Sequence, residues 1–448
     1  MAPERLRSLR VAYLMVLIPV IMLTVIGLFM IMSANTITAL DSDKNPYAVG
    51  LGQVKWAVAG TVLALGLAHC HRWLGLAHYH YRRWQGRAVA WGGLVLALVL
   101  QLMVFVTPLG CGSGGNKNWL CLNGQWTVQP SEFIKLGLAL WLGSVLALKK
   151  DALTRWSDLT FPGLIGIGMS LTLVVMGDDA GTALVIGVMA LGALVLAGVP
   201  WSKLAALTAV MGVLAWVAVS GAEHRLDRFK VTYNPELCDQ LPDLCWQIQQ
   251  AGYSLASGGW FGAGLGASRG KWLYLSQAES DFIFAIIGEE LGLAGTLTIL
   301  ALFGVLGFGL FQIVRLHPDR SVQVAVGAIG CWIEGQALIN MGMVIKLLPV
   351  VGVPLPFVSD GGSALVSCLM AIGITFGLMR TDPEVRSALT LRRRRADRIG
   401  SVVDAVPVGA DMYAGVSAGG GRSVSGGRAV RPGRVARRPR DGRLGDGP

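Results

Sequence analysis

Ser280-Asp-Phe-Ile-Phe-Ala-Ile-Ile-Gly-Glu-Glu290 opens an apolar stretch that runs on to about residue 314. A bilayer core about 30 Å thick is crossed by roughly 20 apolar residues at about 1.5 Å rise each. The stretch is longer than one crossing needs, so it is expected to tilt or to begin outside the hydrocarbon. Its mouth carries Asp281, and Glu289 lies roughly 12 Å deeper on a similar helical face. A carboxylate at a helix start is favoured by the free N–H groups and the helix dipole, so capping alone accounts for Asp281 on residue type.

Similar apolar runs recur on either side. With this one they make ten, near 11–33, 52–70, 88–108, 131–148, 160–177, 182–199, 203–220, 282–314, 322–345 and 363–380. The composition agrees: 53% of the 448 residues are hydrophobic and 15% charged, against about 25% charged in soluble proteins. Mean hydropathy is +0.56. The expected fold is therefore all-α, a polytopic membrane protein of about ten transmembrane helices. The net charge of +11 is concentrated at one end, because Arg386–Pro448 holds 14 Arg, no Lys and 5 Asp. That distribution excludes a uniformly basic nucleic-acid-binding enzyme. Two domains are expected: a membrane domain over 1–385 and a basic, Gly/Arg-rich disordered tail over 386–448.

The first run follows Arg5, Arg7 and Arg10 with no A-x-A-like site, and reads as a retained helix. With the N-terminus inside, the inner loops hold Arg72, Arg82, Arg83, Arg87, Lys149, Lys150, Arg155, Lys203, Arg315 and Arg320. The short outer loops hold only Lys44, Lys55, Lys117 and Lys346. Both termini are then cytoplasmic, and the one long loop, about 221–281, is extracytoplasmic and best placed for chemistry. Cys111 and Cys121 share one outer loop, and Cys238 and Cys245 share the long one. Two short-range disulfides and four unpaired thiols both fit these positions.

Several polar residues lack a packing explanation. Glu132 and Lys135, one turn apart in Gln129-Pro-Ser-Glu-Phe-Ile-Lys135, can neutralise each other or mark a polar pathway. Asp178 and Asp179, before Thr182, can cap a helix, bind a cation or be solvated. Gly258-Gly-Trp-Phe-Gly-Ala-Gly-Leu-Gly266 follows no strand, so a tight loop at the outer membrane surface fits better than a dinucleotide site. Arg269 and Lys271 come directly after it. Asn340, Lys346, Pro349, Pro354, Pro356 and Ser359-Asp-Gly-Gly-Ser363 form a rigid re-entrant or surface loop on the same side as Asp281. Carboxylate, cations and Gly/Pro loops on one face point to an anionic, membrane-borne substrate.

Taken together these segments resemble the SEDS family of bacterial cell-wall polymerases, which includes FtsW, RodA and SpoVE, over nearly all of residues 11–385. The resemblance rests on Gln129-Pro-Ser-Glu132, Asp179-Ala-Gly-Thr182, Ser257-Gly-Gly-Trp-Phe-Gly262, Asp281 through Gly292, Leu348-Pro, Leu355-Pro-Phe and Gly361-Gly-Ser363. The wording around Asp281 and Pro356 is closer to FtsW than to RodA. Such a resemblance implies a peptidoglycan glycosyltransferase at the outer face of the bacterial cytoplasmic membrane, at the division septum. It would join disaccharide units from lipid II into a glycan strand and release polyprenyl diphosphate. A class B penicillin-binding protein, other divisome proteins and the membrane are the implied partners, and nucleic acid is not.

By the same resemblance Asp281 is the catalytic residue, displacing the capping reading. A β-1,4 linkage from an α-linked diphosphate donor requires inversion at C1, for which one base suffices. The leaving diphosphate needs positive charge from Arg269, Lys271 or Lys117, or from a divalent cation, Mg2+ or Mn2+. Trp119, Gln129, Glu132, Lys135, Asp179, Thr182, Gln247, Gln250, Ser359, Gly361, Gly362 and Ser363 are expected to bind substrate. Lys346 can join them or pair with Asp360. The chain departs from the family at Ser276-Gln-Ala-Glu-Ser280, Asp178, Lys346 and Asp360, each adding or moving charge on the outer face. A lipid-linked precursor flippase, an elongation or sporulation paralogue, and a non-catalytic transpeptidase scaffold are the alternatives.

Overall fold

Each of the ten apolar runs is met by a helix. In chain order these elements begin with α1 (Ala2–Asp41), α2 (Pro46–His69) and α3 (Trp84–Val106). Strands β1 (Gly110–Cys111), β2 (Trp119–Leu122) and β3 (Trp126–Val128) follow, then α4 (Pro130–Leu146) and the short α5 (Trp156–Leu159). A wide turn over Thr160–Leu164 leads into α6 (Ile165–Met176), then α7 (Ala180–Leu196) and α8 (Trp201–Ser220). Two helices in the long loop, α9 (Glu223–Tyr233) and α10 (Pro242–Ser257), precede α11 (Ile283–Leu316), α12 (Arg320–Val344) and α13 (Gly362–Met379).

The computed structural model describes residues 2–41, 46–69, 84–112, 117–122, 126–147, 155–221, 223–272, 275, 277–388 and 390. Expectations placed on Lys44, Arg72, Arg82, Arg83, Lys149, Lys150, Ser276 and the tail from Arg392 onward lie outside the described residues. Six of the described helices are long and apolar enough to cross a membrane. Thr160–Met176, Ala180–Leu196 and Trp201–Val217 are shorter and apolar. The chain is thus a multi-pass membrane protein.

Helix α12 is the hub, packing on α4, α7 and α11, while α1 lies along α11 and α2 along α13. Its own start is set by Asp319, whose carboxylate accepts the Ser321 N–H at 2.8 Å. At the end assigned to the cytoplasm, Arg5 pairs with Asp382 at 2.7 Å and with Glu384 at 3.2 Å. It also donates to Leu316 O at 2.7 Å. The N-terminus, the α11–α12 connection and the end of α13 therefore meet on one face, as an even number of crossings requires.

The outer loop after α3 folds as a three-stranded antiparallel sheet in the order β1-β2-β3. Cys111 and Cys121 are bonded across it, and Cys238 and Cys245 are bonded at the start of α10. These strands were not read from the sequence, since two to four residues each carry too little alternation to register.

Helix α11 is broken at Gly292, where φ is 69° and ψ −163°. The break frees main-chain groups, and the glycine-rich loop after α10 meets them. Ala263 N donates to Glu289 O at 2.9 Å and Gly264 N to Glu290 O at 3.1 Å. In return Leu293 N donates to Gly259 O at 2.9 Å and Ala294 N to Trp260 O at 3.1 Å. Non-helical backbone at this depth is tolerated because protein groups satisfy it. Only glycine fits at position 262, where φ is +82° and a Cβ would sit 2.1 Å from Glu290 O. Gly262→Ala is therefore expected to cost about 1–3 kcal/mol. An unchanged thermal melt would refute the docked loop.

Candidate functional site

The outer ends of the helices enclose a cavity of about 600 Å³. Its walls come from β2, the starts of α4, α7 and α13, the end of α8, helix α9, the turn before α7, the 277–281 loop and the α12–α13 loop. Asp281 stands on the wall. The N-cap of α11 is Phe282, and among the described residues no side-chain hydrogen bond caps this helix, so capping does not explain Asp281. Its carboxylate instead faces Gly352, where a Cβ would lie 3.6 Å from Asp281 Oδ2. Burial pushes the Asp281 pKa up to about 6, the Arg228 charge opposes the rise, and Asp179 and Glu279 add to it.

Three successive carbonyls hold this loop in place. Asp360 N donates to Glu279 O at 2.9 Å, Ser359 Oγ to Ser280 O at 2.5 Å, and Asn340 Nδ2 to Asp281 O at 2.8 Å. Asn340 also reaches Val353 O at 2.7 Å, and Leu355 N donates to Ser359 Oγ at 2.7 Å. The α12–α13 loop thus holds the Asp281 loop through the Asp360 main chain and the Ser359 side chain, with Asn340 at the end of α12.

Of the residues expected from the sequence, Trp119, Gln129, Glu132, Asp179, Thr182, Asp281 and Gly361 come together on the cavity wall. Asp179 caps α7, accepting the Thr182 N–H at 2.8 Å, and accepts Gln129 Nε2 at 2.9 Å. Ser363 Oγ accepts the Gln129 N–H at 3.3 Å, tying α13 to α4. Gly362 lies against the Trp56 indole, where a Cβ would be 2.3 Å from Nε1.

Glu132 and Lys135 form a buried ion pair at 2.7 Å. Lys135 Nζ also donates to Gln336 Oε1 at 2.9 Å and lies 5.0 Å from the Trp332 ring centre. Ser367 Oγ donates to Glu132 Oε2 at 3.0 Å, so the pair joins α4, α12 and α13.

The structure does not bring the other expected cations to the cavity. Lys271 is buried and paired with Glu290 at 3.1 Å, with Gly266 O and Ser33 Oγ as its further partners. Arg269 uses its main-chain N–H on Glu289 Oε1 at 2.7 Å while its side chain is exposed. Glu289 also accepts from Ser268 Oγ at 2.7 Å, so it braces the loop and does not face Asp281. Lys346 runs over Gly252 on α10. Asp360 accepts from Asn35 Nδ2 at 3.2 Å, and no ion pair joins it to Lys346 among the described residues. Lys117 stands beside the wall residues Asn118 and Trp119 without lining the cavity. Gln247 and Gln250 are on α10, which packs on α11, and are not wall residues.

Among the described residues, the cation that does line the cavity is Arg228, on α9. The sequence reading missed it. The available signal was the run His224-Arg-Leu-Asp-Arg-Phe-Lys230 inside the one long outer loop. Asp178, Glu279 and Asp360 also line the cavity, so three of the departures from the family pattern bear on one space. Burial pushes the Asp360 carboxyl up, against the Asn35 hydrogen bond. Among the described residues no three His, Cys, Asp or Glu side chains gather to hold a metal ion by themselves, and a Mg2+ or Mn2+ at this cavity would rely on one or two carboxylates together with substrate phosphates.

Fold and cavity define a multi-pass helical membrane protein with a polar, carboxylate-lined chamber at the ends of its helices. The chain matches the family described as Cell cycle protein (FtsW/RodA/SpoVE) over residues 13–383, and it belongs to that family. It is 34% identical over 379 residues to the probable peptidoglycan glycosyltransferase FtsW of Mycobacterium tuberculosis, covering 84% of this chain and 69% of that protein. It is 33% identical over 370 residues to the stage V sporulation protein E of Bacillus subtilis, covering 82% and 96%. Among solved structures, a chain of a peptidoglycan synthase complex superposes with a TM-score of 0.64 at 22% identity, covering 82% of this chain and 96% of that one. The rod shape determining protein RodA of Thermus thermophilus gives 0.58 at 24%, with 82% and 96% covered. These superpositions show the shared fold.

Proposed function

We propose that the chain is a peptidoglycan glycosyltransferase that polymerises lipid II at the outer face of the bacterial cytoplasmic membrane. The observation that carries this reading is the Asp281 carboxylate on the wall of the outer cavity, with its pKa raised to about 6. A base with a pKa near working pH is best matched to removing a hydroxyl proton in the transition state. Asp281 takes the proton of the acceptor 4-hydroxyl as its oxygen bonds to donor C1. The C1–oxygen bond to the diphosphate breaks with inversion, and the diphosphate leaves with the electron pair. Arg228 is the cavity's cation for that developing charge. A class B penicillin-binding protein, docking its single helix on α11 and α12, supplies the crosslinking partner, and the division septum is the proposed location.

Purified protein given labelled lipid II tests the reading. Polymer supports it; transbilayer movement without polymer assigns a flippase, and neither outcome leaves a scaffold. The polymerisation rate is expected to be level above about pH 6 and to fall about tenfold per pH unit below it, as the Asp281 carboxylate takes up its proton. A rate–pH profile flat through that range would separate the reaction from this group.

A further inference from the structure

Among the described residues six carboxylates line the cavity, and four of them are engaged within the protein. Glu132 holds Lys135, Asp179 holds the Thr182 N–H and Gln129, and Asp360 accepts from Asn35. Asp178 is not free either. The side chains of Glu279 and Asp281 remain, with no hydrogen bond or ion pair to any described residue.

These two stand on one short loop whose main chain is tied at both ends. Gln277 turns the chain with φ at 57°, and its carbonyl accepts the N–H groups of Ser280, Asp281 and Phe282 at 3.2, 3.1 and 3.2 Å. A non-glycine residue persists at such a φ only where its surroundings over-determine it. With Glu279 O and Asp281 O also bonded, to Asp360 N and Asn340 Nδ2, the backbone fixes where both carboxylates stand. Glu279 is half-buried, and its charge acts on Asp281. An ionised carboxylate offers acceptor sites and no donor, so the chemistry that completes it is an N–H or O–H group.

Sign decides which part of the substrate that is. A diphosphate brings acceptors and negative charge, so it is repelled by Glu279 and drawn to Arg228. A sugar ring brings O–H donors and no charge. The 4-hydroxyl that meets Asp281 is flanked on its own ring by hydroxyls at C3 and C6. We propose that Glu279 is a substrate-binding residue of the acceptor subsite, accepting a hydrogen bond from one of these two flanking hydroxyls. The ring is then held at two points, which aims its 4-oxygen at donor C1. The inference rests on the polymerase reading above and deepens it. The cavity is polarised, with the accepting sugar on the Glu279–Asp281 loop and the leaving diphosphate at Arg228.

The test gives the full chain lipid II and two analogues that lack the 3- or the 6-hydroxyl on the accepting sugar. A hydrogen bond to a charged group corresponds to roughly a ten- to hundredfold effect. Parent kcat/KM is expected to fall by that factor with one analogue, which names the hydroxyl, and to change little with the other. Glu279→Ala should lose the same factor with lipid II itself and no longer distinguish lipid II from that analogue. Glu279→Gln keeps an accepting oxygen and should recover part of the loss. Equal rates for the three substrates with the parent overturn the proposal, as does an analogue penalty that persists in Glu279→Ala. Recovery of Glu279→Ala by raised Mg2+ also overturns it, by assigning the carboxylate to a metal ion. A parent that makes no polymer fails the polymerase reading and takes this inference with it. A polymerising parent indifferent to both analogues fails this inference alone. The substrate series on the parent decides the matter even where a variant folds poorly.

Discussion

Asp281→Asn is expected to reduce glycan polymerisation from lipid II by at least about a hundredfold, the contribution of a positioned general base. The substitution keeps the side chain's shape and removes only its capacity to take a proton. It should leave the fold intact, because the loop is fixed through main-chain carbonyls to Asp360, Ser359 and Asn340. The prediction is therefore a split: an unchanged melting temperature beside lost turnover. Activity within a few-fold of the parent would move the base elsewhere, and Glu279 on the same wall would be the next carboxylate to replace.

The second large effect is on stability. Lys135→Ala leaves Glu132 buried with Ser367 as its remaining partner. It also strips Gln336 of the ammonium that α12 uses to reach α4. Breaking a buried pair on one side costs about 3–5 kcal/mol, whereas replacing both partners with groups of similar volume is often neutral. The double variant Glu132→Gln, Lys135→Met should thus melt well above Lys135→Ala. Polymerisation by that double variant then distinguishes two roles. Retained activity makes the pair a strut between three helices. A stable protein without activity makes Glu132, which reaches the cavity wall, part of the substrate site.

The ten helices were legible because each is announced by a long local run of apolar residues, and membrane insertion depends on little else. Asp281 and its motif neighbours Gln129, Asp179 and Gly361 were legible through the resemblance, and the structure gathers them around one cavity. What local pattern could not give is the pairing of distant residues. Lys271 and Arg269 follow the glycine loop as two cations, yet one is neutralised by Glu290 and the other turns outward. Asn35 meets Asp360 across 325 residues. Arg228 is one basic residue among several in its loop until α9 sets it on the cavity wall. The break at Gly292 was equally hidden, because its partners lie in a loop whose glycines read only as a tight turn.

The three carbonyls flanking Asp281 carry a consequence for how this chain differs from its relatives. Main-chain oxygens belong to every residue type, so the anchoring of Glu279, Ser280 and Asp281 is indifferent to the side chains at those positions. Composition and placement are uncoupled along this segment. Ser276-Gln-Ala-Glu-Ser280 can diverge, and Glu279 can bring a negative charge into the chamber, while the aspartate beside it keeps its station. The loop is a fixed mount with an interchangeable face, and selection is free to retune the field around the base without rebuilding the fold.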